Sequence, residues 1–278
     1  MRTNAEELAI VSVMGEVSHP TVKMPRIDED GKIHYVPGVG GITYNFTLGD
    51  SAFKLYGDHV EPDVSTKNKN KSENEAYMML SCIGNEAIVV SGDAKGMKGF
   101  VIGKHGGVDH VLIHFPNLEK LSIGDKILVK ARGQGLKVLD LPQIRIYNID
   151  PELFEKVFRV EDGKLKIVVS SVIPASMMGS GIGTTNPTRS DYDINVTMED
   201  AKNLNLRIGD FVAIEDHDSS HGLGQYRKGY ITVGVIVHSG CFALGHGPGV
   251  VVVATGPGEF FDIDVGEKSN LKDFMEVV

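Results

Sequence analysis

Leu118-Glu119-Lys120-Leu121-Ser122-Ile123-Gly124-Asp125-Lys126-Ile127-Leu128-Val129-Lys130 reads as a tight turn feeding a short strand. Gly124 and Asp125 are turn formers, and beyond them Ile127 and Val129 stand two apart in a strand, so both point to one face. The same order returns at Leu204-Asn205-Leu206-Arg207-Ile208-Gly209-Asp210-Phe211-Val212. Each copy runs on into a glycine-rich segment, Arg132-Gly133-Gln134-Gly135 in the first and His221-Gly222-Leu223-Gly224-Gln225 in the second. Outward from these copies, Val- and Ile-rich runs bounded by Gly, Asp or Asn recur at 87–90, 111–115, 127–129, 165–173, 211–214, 230–237 and 250–254. Their lengths and β-branching predict strands.

Helical signals are fewer. Ser72-Glu73-Asn74-Glu75 has the pattern of a capping box and leads into 76–80, with a stop near Gly84. Asp150-Pro151 offers an N-cap and a first-turn proline, and Thr197-Met198-Glu199-Asp200 opens a third short helix. Strands and helices do not alternate, which disfavours a doubly wound parallel sheet. The expected fold is mainly β, with two β-barrel-like domains and a few short helices. The boundary falls near Tyr147 to Asp150, giving an N-terminal domain over 1–148 and a C-terminal one over 149–278. Glu161-Asp162-Gly163-Lys164 is expected to be a hairpin turn. The two Ile-Gly-Asp copies fit either two related barrels or one favoured turn used twice.

Composition narrows the function classes. The chain has 278 residues and a formal net charge of -9, a sign that repels phosphate backbones and argues against general nucleic-acid binding. The one dense lysine run, Lys67, Lys69 and Lys71, carries no interleaved aromatics for base stacking and reads as a solvated loop. Two cysteines in this length make no disulfide scaffold, so a reducing compartment is expected. The start of the chain carries acids where a signal peptide carries basic residues, and no run approaches the roughly 20 apolar residues of a membrane span. A cytoplasmic location, with no membrane partner, is the expectation.

Four segments carry a family resemblance: Pro37-Gly38-Val39-Gly40-Gly41-Ile42-Thr43-Tyr44-Asn45; Gly57-Asp58-His59-Val60-Glu61-Pro62; Ser91-Gly92-Asp93-Ala94-Lys95-Gly96 with Gly103-Lys104-His105-Gly106-Gly107; and Gly245-His246-Gly247-Pro248-Gly249-Val250. Together they resemble the bacterial and archaeal family known as domain of unknown function 4438, over nearly the whole chain. The resemblance implies a β-rich, barrel-containing fold in two parts. It implies no reaction and no catalytic residues.

For chemistry, the densest constellation is Glu215-Asp216-His217-Asp218-Ser219-Ser220-His221, at the exit of the strand 211–214. Carboxylates and imidazoles there supply O and N donors suited to a divalent metal ion. If the strand continues, Asp216 and Asp218 share a face roughly 6–7 Å apart, and His221 joins them as a third metal ligand only if Ser219-Ser220 turns the chain back. A polar turn that satisfies its own backbone is the structural alternative. His110 and His114 are four residues apart in a strand and cannot meet at one ion, so packing is their expected role.

The glycine loops add Asp93, Lys95, Lys104 and His105 as candidate ligand-binding residues, and His246 sits at a strand entrance. Gly179-Ser180-Gly181-Ile182-Gly183-Thr184 misses the last glycine of a dinucleotide fingerprint, and what remains is a loop ending in Arg189, a possible bidentate anion donor, then Asp191 and Asp193. Cys241 lies near His246 in sequence, but a buried inert cysteine is the commoner state. Cys82 reads as core.

The leading expectation is a small-molecule enzyme, a metal-assisted hydrolase in which Asp216, His217, His221 and His246 take the catalytic roles. Two rivals use the same residues: a non-catalytic small-anion-binding protein, and an oligomeric structural protein with histidines at contacts between copies. The sharpest geometric expectation is that His105, His217 or His221, and His246 meet in one cleft between the halves, with Asp93 or Asp216.

Overall fold

The computed structural model describes residues 1–22, 25–28, 30–179, 186–196, 200, 203–221, 224–241 and 246–275. The strands of the first half are β1 (Val11–Val17), β2 (Arg26–Ile27), β3 (Ile33–His34), β4 (Ile42–Thr43), β5 (Asp63–Lys67), β6 (Glu86–Val89), β7 (Lys98–His105), β8 (His110–His114), β9 (Lys126–Ala131) and β10 (Arg145–Ile146). Then come β11 (Arg159–Glu161), β12 (Lys164–Val169), β13 (Ser171–Pro174), β14 (Tyr192–Asp193), β15 (Phe211–Asp218), β16 (Gln225–Ile236), β17 (Gly249–Pro257) and β18 (Phe261–Val265). Two helices, α1 (Lys71–Leu80) and α2 (Pro151–Val157), complete the regular elements used below.

The chain is mainly β, as its Val/Ile runs predict. Strands β1-β9-β6-β7-β8-β5 form a closed barrel, because β5 returns to β1 through Glu16↔Lys67 and Val17↔Thr66. The second half is built on the sheet β10-β17-β16-β15-β13, with β14 paired to β17 and a separate three-stranded sheet β11-β12-β18. The run 165–173 splits at Ser170, whose amide donates to Phe211 O at 2.8 Å, so its two parts enter different sheets. One apolar cluster joins barrel residues Phe100, Ile102 and Leu112 to Phe211, Val235 and Val253 of the second sheet, so the two halves share a core. No helix among the described residues is long and apolar enough to cross a membrane.

Local chemistry sets most element ends. Helix α1 begins two residues earlier than the expected capping box. Asn70 is the N-cap and accepts from the amides of Ser72 and Glu73. Asn74 is turned inward, accepting from Asn68 N at 2.7 Å and donating to Asp109 O at 3.1 Å. Helix α2 starts as expected, with the Asp150 carboxylate accepting from Glu152 N and Pro151 in the first turn. Asp162 and Gly163 both take positive φ in the hairpin that pairs Glu161 with Lys164. The expected helix opening at Thr197 has three of its four signal residues outside the described residues.

The two Gly-Asp turns are alike in detail. Asp125 N donates to Ser122 O at 3.0 Å and Ser122 N to Asp125 Oδ2 at 2.8 Å. At the second copy Asp210 N donates to Arg207 O at 3.0 Å and Arg207 N to Asp210 Oδ2 at 2.9 Å. A third copy, Thr47-Leu48-Gly49-Asp50, has the same pair of bonds at 3.1 and 2.9 Å but leads into no named strand. The recurrence therefore follows from turn chemistry: glycine supplies positive φ, and aspartate closes the loop onto the backbone. Gly124→Ala should cost about 1–2 kcal/mol, the backbone penalty alone, because a Cβ there meets nothing within 4 Å. Gly209→Ala should cost more, because its Cβ would overlap Leu48 Cδ1. Urea denaturation compares them, and equal losses would contradict this steric account.

Candidate functional site

Six polar side chains from distant parts of the chain meet where the barrel and the second sheet join. His59 comes from the loop before β5, and His105 is the last residue of β7. Asp191 and Asp193 alternate around β14 and so present their carboxylates to one side, with Tyr192 on the other. His238 follows β16, and His246 precedes β17. Two groups result, His59–Asp193–His246 and His105–Asp191–His238, and within each the ligand-type atoms lie within 4.8 Å of one another. The groups touch: the ring centroids of His59 and His238 are 5.0 Å apart, and those of His59 and His105 are 5.9 Å apart.

The outer contacts orient the inner ones. His59 Nδ1 lies 2.7 Å from Asp58 Oδ1, His105 Nδ1 lies 2.6 Å from Glu61 Oε1, and His238 Nδ1 lies 2.9 Å from Ser239 O. Acceptors on Nδ1 orient each ring so that Nε2 faces the carboxylates, where it either carries a proton or, once deprotonated, offers a lone pair to an ion, the arrangement by which proteins hold metal-ligating histidines. Asp58 is itself held by Arg26 Nε at 2.8 Å. Glu61 is fully buried and also accepts from Gly40 N and Ser65 Oγ, both at 2.6 Å, and faces His110 Nδ1 at 2.9 Å.

Charge is concentrated here. His238 Nε2 sits 2.8 Å from Asp191 Oδ2 and 3.4 Å from Asp193 Oδ1. Burial pushes the His238 pKa down, but hydrogen bonds to Asp191 and Asp193 outweigh it and raise it well above the ordinary histidine range. His59 shows the same balance, raised by Asp193 and Asp58 against burial. Burial pushes the Asp193 carboxyl up, and the facing imidazoles of His238, His246 and His59 overcome that and hold it far below the usual carboxylate range. Asp58 is brought to about 2, because hydrogen bonds from His59 and Arg26 overcome its burial. In chemical terms the cluster stabilises positive charge between two carboxylates, which either a proton or a metal cation supplies.

Of the residues expected from sequence, His105 and His246 lie in this cluster. The others do not. Asp216 adopts φ 57° at a bulge in β15, which breaks the alternation that would have put it beside Asp218, and its Oδ1 accepts from Gly229 N at 2.7 Å. Asp218 is buried and paired with Arg227 at 2.9 Å. His217 is buried against Thr232 Oγ1 at 3.0 Å, and burial pushes its pKa to about 4, so it is held neutral. His221 is exposed in a turn. Asp216, Asp218 and His221 therefore do not make a metal set. Asp93 and Lys95 are exposed on the turn between β6 and β7. His110 and His114 do meet separate carboxylates, Glu61 and Asp63.

Lys104 and Arg189 are already engaged. Arg189 faces Asp109 at 3.2 Å and Glu75 at 4.0 Å. Much of the glycine loop that precedes Arg189 lies outside the described residues. Lys104 is fully buried and donates to Thr188 O at 2.7 Å and Asn148 Oδ1 at 2.8 Å, which ties the segment before Asp191 to the barrel. Its burial pushes the ammonium from 10.5 down to about 8. Between those two pH values the unfolded chain binds more protons than the folded one, so stability rises with pH across the window. The expected gain is roughly 1–3 kcal/mol between pH 8 and 10.5, less than the full shift because three oxygens still solvate the amine. Denaturation at both pH values should show it in the wild type and lose it in Lys104→Met.

Cys241 is 2% exposed, and its link to His246 is a backbone one, Cys241 N donating to His246 O at 2.6 Å. Cys82 lies just past α1 in the core, where burial pushes its thiol up to about 12. Both are buried, without the accessible setting of a nucleophilic thiolate.

The residues that sequence reading missed, His59, Asp191, Asp193 and His238, carry one usable signal. Asp191 and Asp193 stand two apart, the spacing that puts both on one face of a strand. His59 lies in a segment quoted for its family resemblance, without a chemical reason attached.

Residues 25–155 match the model described as Domain of unknown function (DUF4438), N-terminal, and residues 156–275 the one described as Domain of unknown function (DUF4438), C-terminal. A solved structure described as the crystal structure of TM1086 is 50% identical, covering 99% of this chain and 99% of that one, with a TM-score of 0.95. No curated protein matches the chain.

Proposed function

This chain belongs to the DUF4438 family, and we propose that it is a metal-dependent hydrolase of small polar molecules, with a divalent ion held by His59, Asp193 and His246. The observation that carries the reading is the set of three N and O donors converging at the edge of the site, with His59 locked from behind by Asp58. Two histidines and one carboxylate are a donor set that suits zinc and its neighbours and leaves a coordination position for water. The His246 ring is 37% exposed, which puts this group on the solvent side of the cluster. A divalent ion held by these three residues would supply Lewis-acid chemistry, activating a water or polarising a carbonyl or phosphoryl oxygen. The chain's own residues hold and orient it: Asp58 fixes His59, and Asp193 supplies the charge. Small-anion binding through Lys95, Lys104 and Arg189 is less favoured, because Lys104 and Arg189 already have partners and Lys95 lies on an exposed turn.

The test is metal content and turnover together. Full-length protein stripped with chelator and reloaded with Zn²⁺, Mn²⁺ or Co²⁺ should retain metal through gel filtration. It should also hydrolyse at least one class in a panel of esters, amides and phosphoesters, only when loaded. Retention of metal unchanged in His59→Gln and His246→Gln would falsify this placement of the ion.

A further inference from the structure

We infer that the site is dinuclear: a second divalent ion is held by His105, Asp191 and His238 on the inner side of the first, with the Asp193 carboxylate bridging the two. This rests on the proposed metal function and extends it. The inner group meets the requirements of a cation site independently of the outer one. His105 and Asp191 are nearly buried, and His238 is 0% exposed, so an ion there is shielded from water. Each ligand is held from behind. Glu61 takes His105 Nδ1, Ser239 O takes His238 Nδ1, and Gly106 N donates to Asp191 Oδ1 at 2.7 Å. What remains pointing inward is two imidazole nitrogens and one carboxylate oxygen, a donor set of the same kind as the outer one.

Asp193 is placed to bridge. Its Oδ2 lies 3.5 Å from His59 Nε2 and 3.8 Å from His246 Nδ1, while its Oδ1 lies 3.4 Å from His238 Nε2. One oxygen thus serves each group, the geometry of a carboxylate shared between two ions. Such paired ions stand roughly 3.5–4 Å apart and clamp the attacking and leaving oxygens of a displacement.

Space is reserved at the inner group as well. Gly249 lies opposite Asp193 in the β14–β17 pairing, and a Cβ on it would fall directly on His238 Nε2 and Asp191 Oδ2. Only glycine leaves those two donor atoms clear at this strand position. At the outer group, His246 Nδ1 is buried without a hydrogen-bond partner and stands 3.8 Å from Asp193 Oδ2, the state of a nitrogen aimed at an ion beside that carboxylate.

The two carboxylates carry two negative charges against four from two divalent ions, so the centre would favour an anionic substrate such as a phosphoester or a carboxylate-bearing molecule.

Metal counting on the chelator-stripped full chain tests the inference. After reloading with Zn²⁺ and gel filtration, elemental analysis should give two ions per chain, and Mn²⁺-loaded protein should give the exchange-coupled electron paramagnetic resonance spectrum of a close pair. His238→Gln should retain one ion and lose the coupling, with His246→Gln retaining one at the other position. Gly249→Ala removes no ligand and should also drop the count to one, which separates blocking of the inner site from loss of a side chain. Circular dichroism and melting temperature establish that each variant is folded. One ion in the wild type, or two ions kept in both His238→Gln and Gly249→Ala, overturns the dinuclear centre while leaving a mononuclear one standing. No ion in the wild type under any loading overturns the proposed metal function as well.

Discussion

Asp193→Ala is expected to remove metal-dependent turnover altogether, the largest functional effect of any single change in this chain. The carboxylate faces His59, His238 and His246 at 3.4 to 3.8 Å. Changes to outer-shell partners of a metal typically cost about 10- to 100-fold in metal affinity. Removing a ligand that serves both groups should exceed that range. The substitution also removes one of the two carboxylates that raise the pKa of each of His59 and His238, leaving Asp58 to the first and Asp191 to the second. Metal titration by calorimetry, with circular dichroism as the folding control, reads the effect. Asp193→Glu keeps the charge and lengthens the arm, and should recover part of the binding. Wild-type affinity in Asp193→Ala would place the ion elsewhere.

Glu61→Ala is expected to be the most destabilising substitution at the site, by about 3–5 kcal/mol, the cost of breaking a buried ion pair by removing one partner. Burial pushes the Glu61 carboxyl up, yet hydrogen bonds from His105 and His110 hold it well below the ordinary glutamate value. By linkage, a carboxylate whose folded pKa is depressed contributes stability above its unfolded pKa near 4.5, and that contribution is lost as pH falls through the folded value. Alanine strands the Gly40 amide, the Ser65 hydroxyl and two imidazoles in a dry interior. Glu61→Gln keeps one acceptor and should lose less stability, while still weakening metal binding because it no longer orients His105 with a full charge. Guanidinium denaturation with and without bound metal separates the two effects. A loss under 1 kcal/mol in Glu61→Ala would mean that water replaces the carboxylate.

The element types were readable from sequence because they are set locally. The alternation at Ile127 and Val129, the Asp150-Pro151 start of α2 and the Asp162-Gly163 hairpin each depend on a few adjacent residues and on backbone geometry. The site was readable only in part. His105 and His246 drew notice because they sit beside glycines, and both are in the cluster. Asp216, Asp218 and His221 were chosen instead for the density of polar residues at a strand exit, and the structure gives Asp216 and Asp218 other partners. Density of polar residues along the chain is no measure of convergence in space, and one left-handed residue at the β15 bulge turned Asp216 out of register. A bulge of this kind depends on how β15 and β16 pair over their whole length, which a window of a few residues does not contain.

By itself, then, the order of residues determined most strands, the start of α2, the Gly-Asp turns and the mainly β character, since backbone propensity and turn chemistry act over distances of a few bonds. The tertiary structure alone decided which histidines and aspartates became neighbours. Residues 59, 105, 191, 193, 238 and 246 meet because barrel closure from β5 to β1, the shared core and the β14–β17 pairing carry their loops to one place. Those contacts are long-range in sequence, and each needs the rest of the fold to be formed before the atoms come within hydrogen-bonding distance.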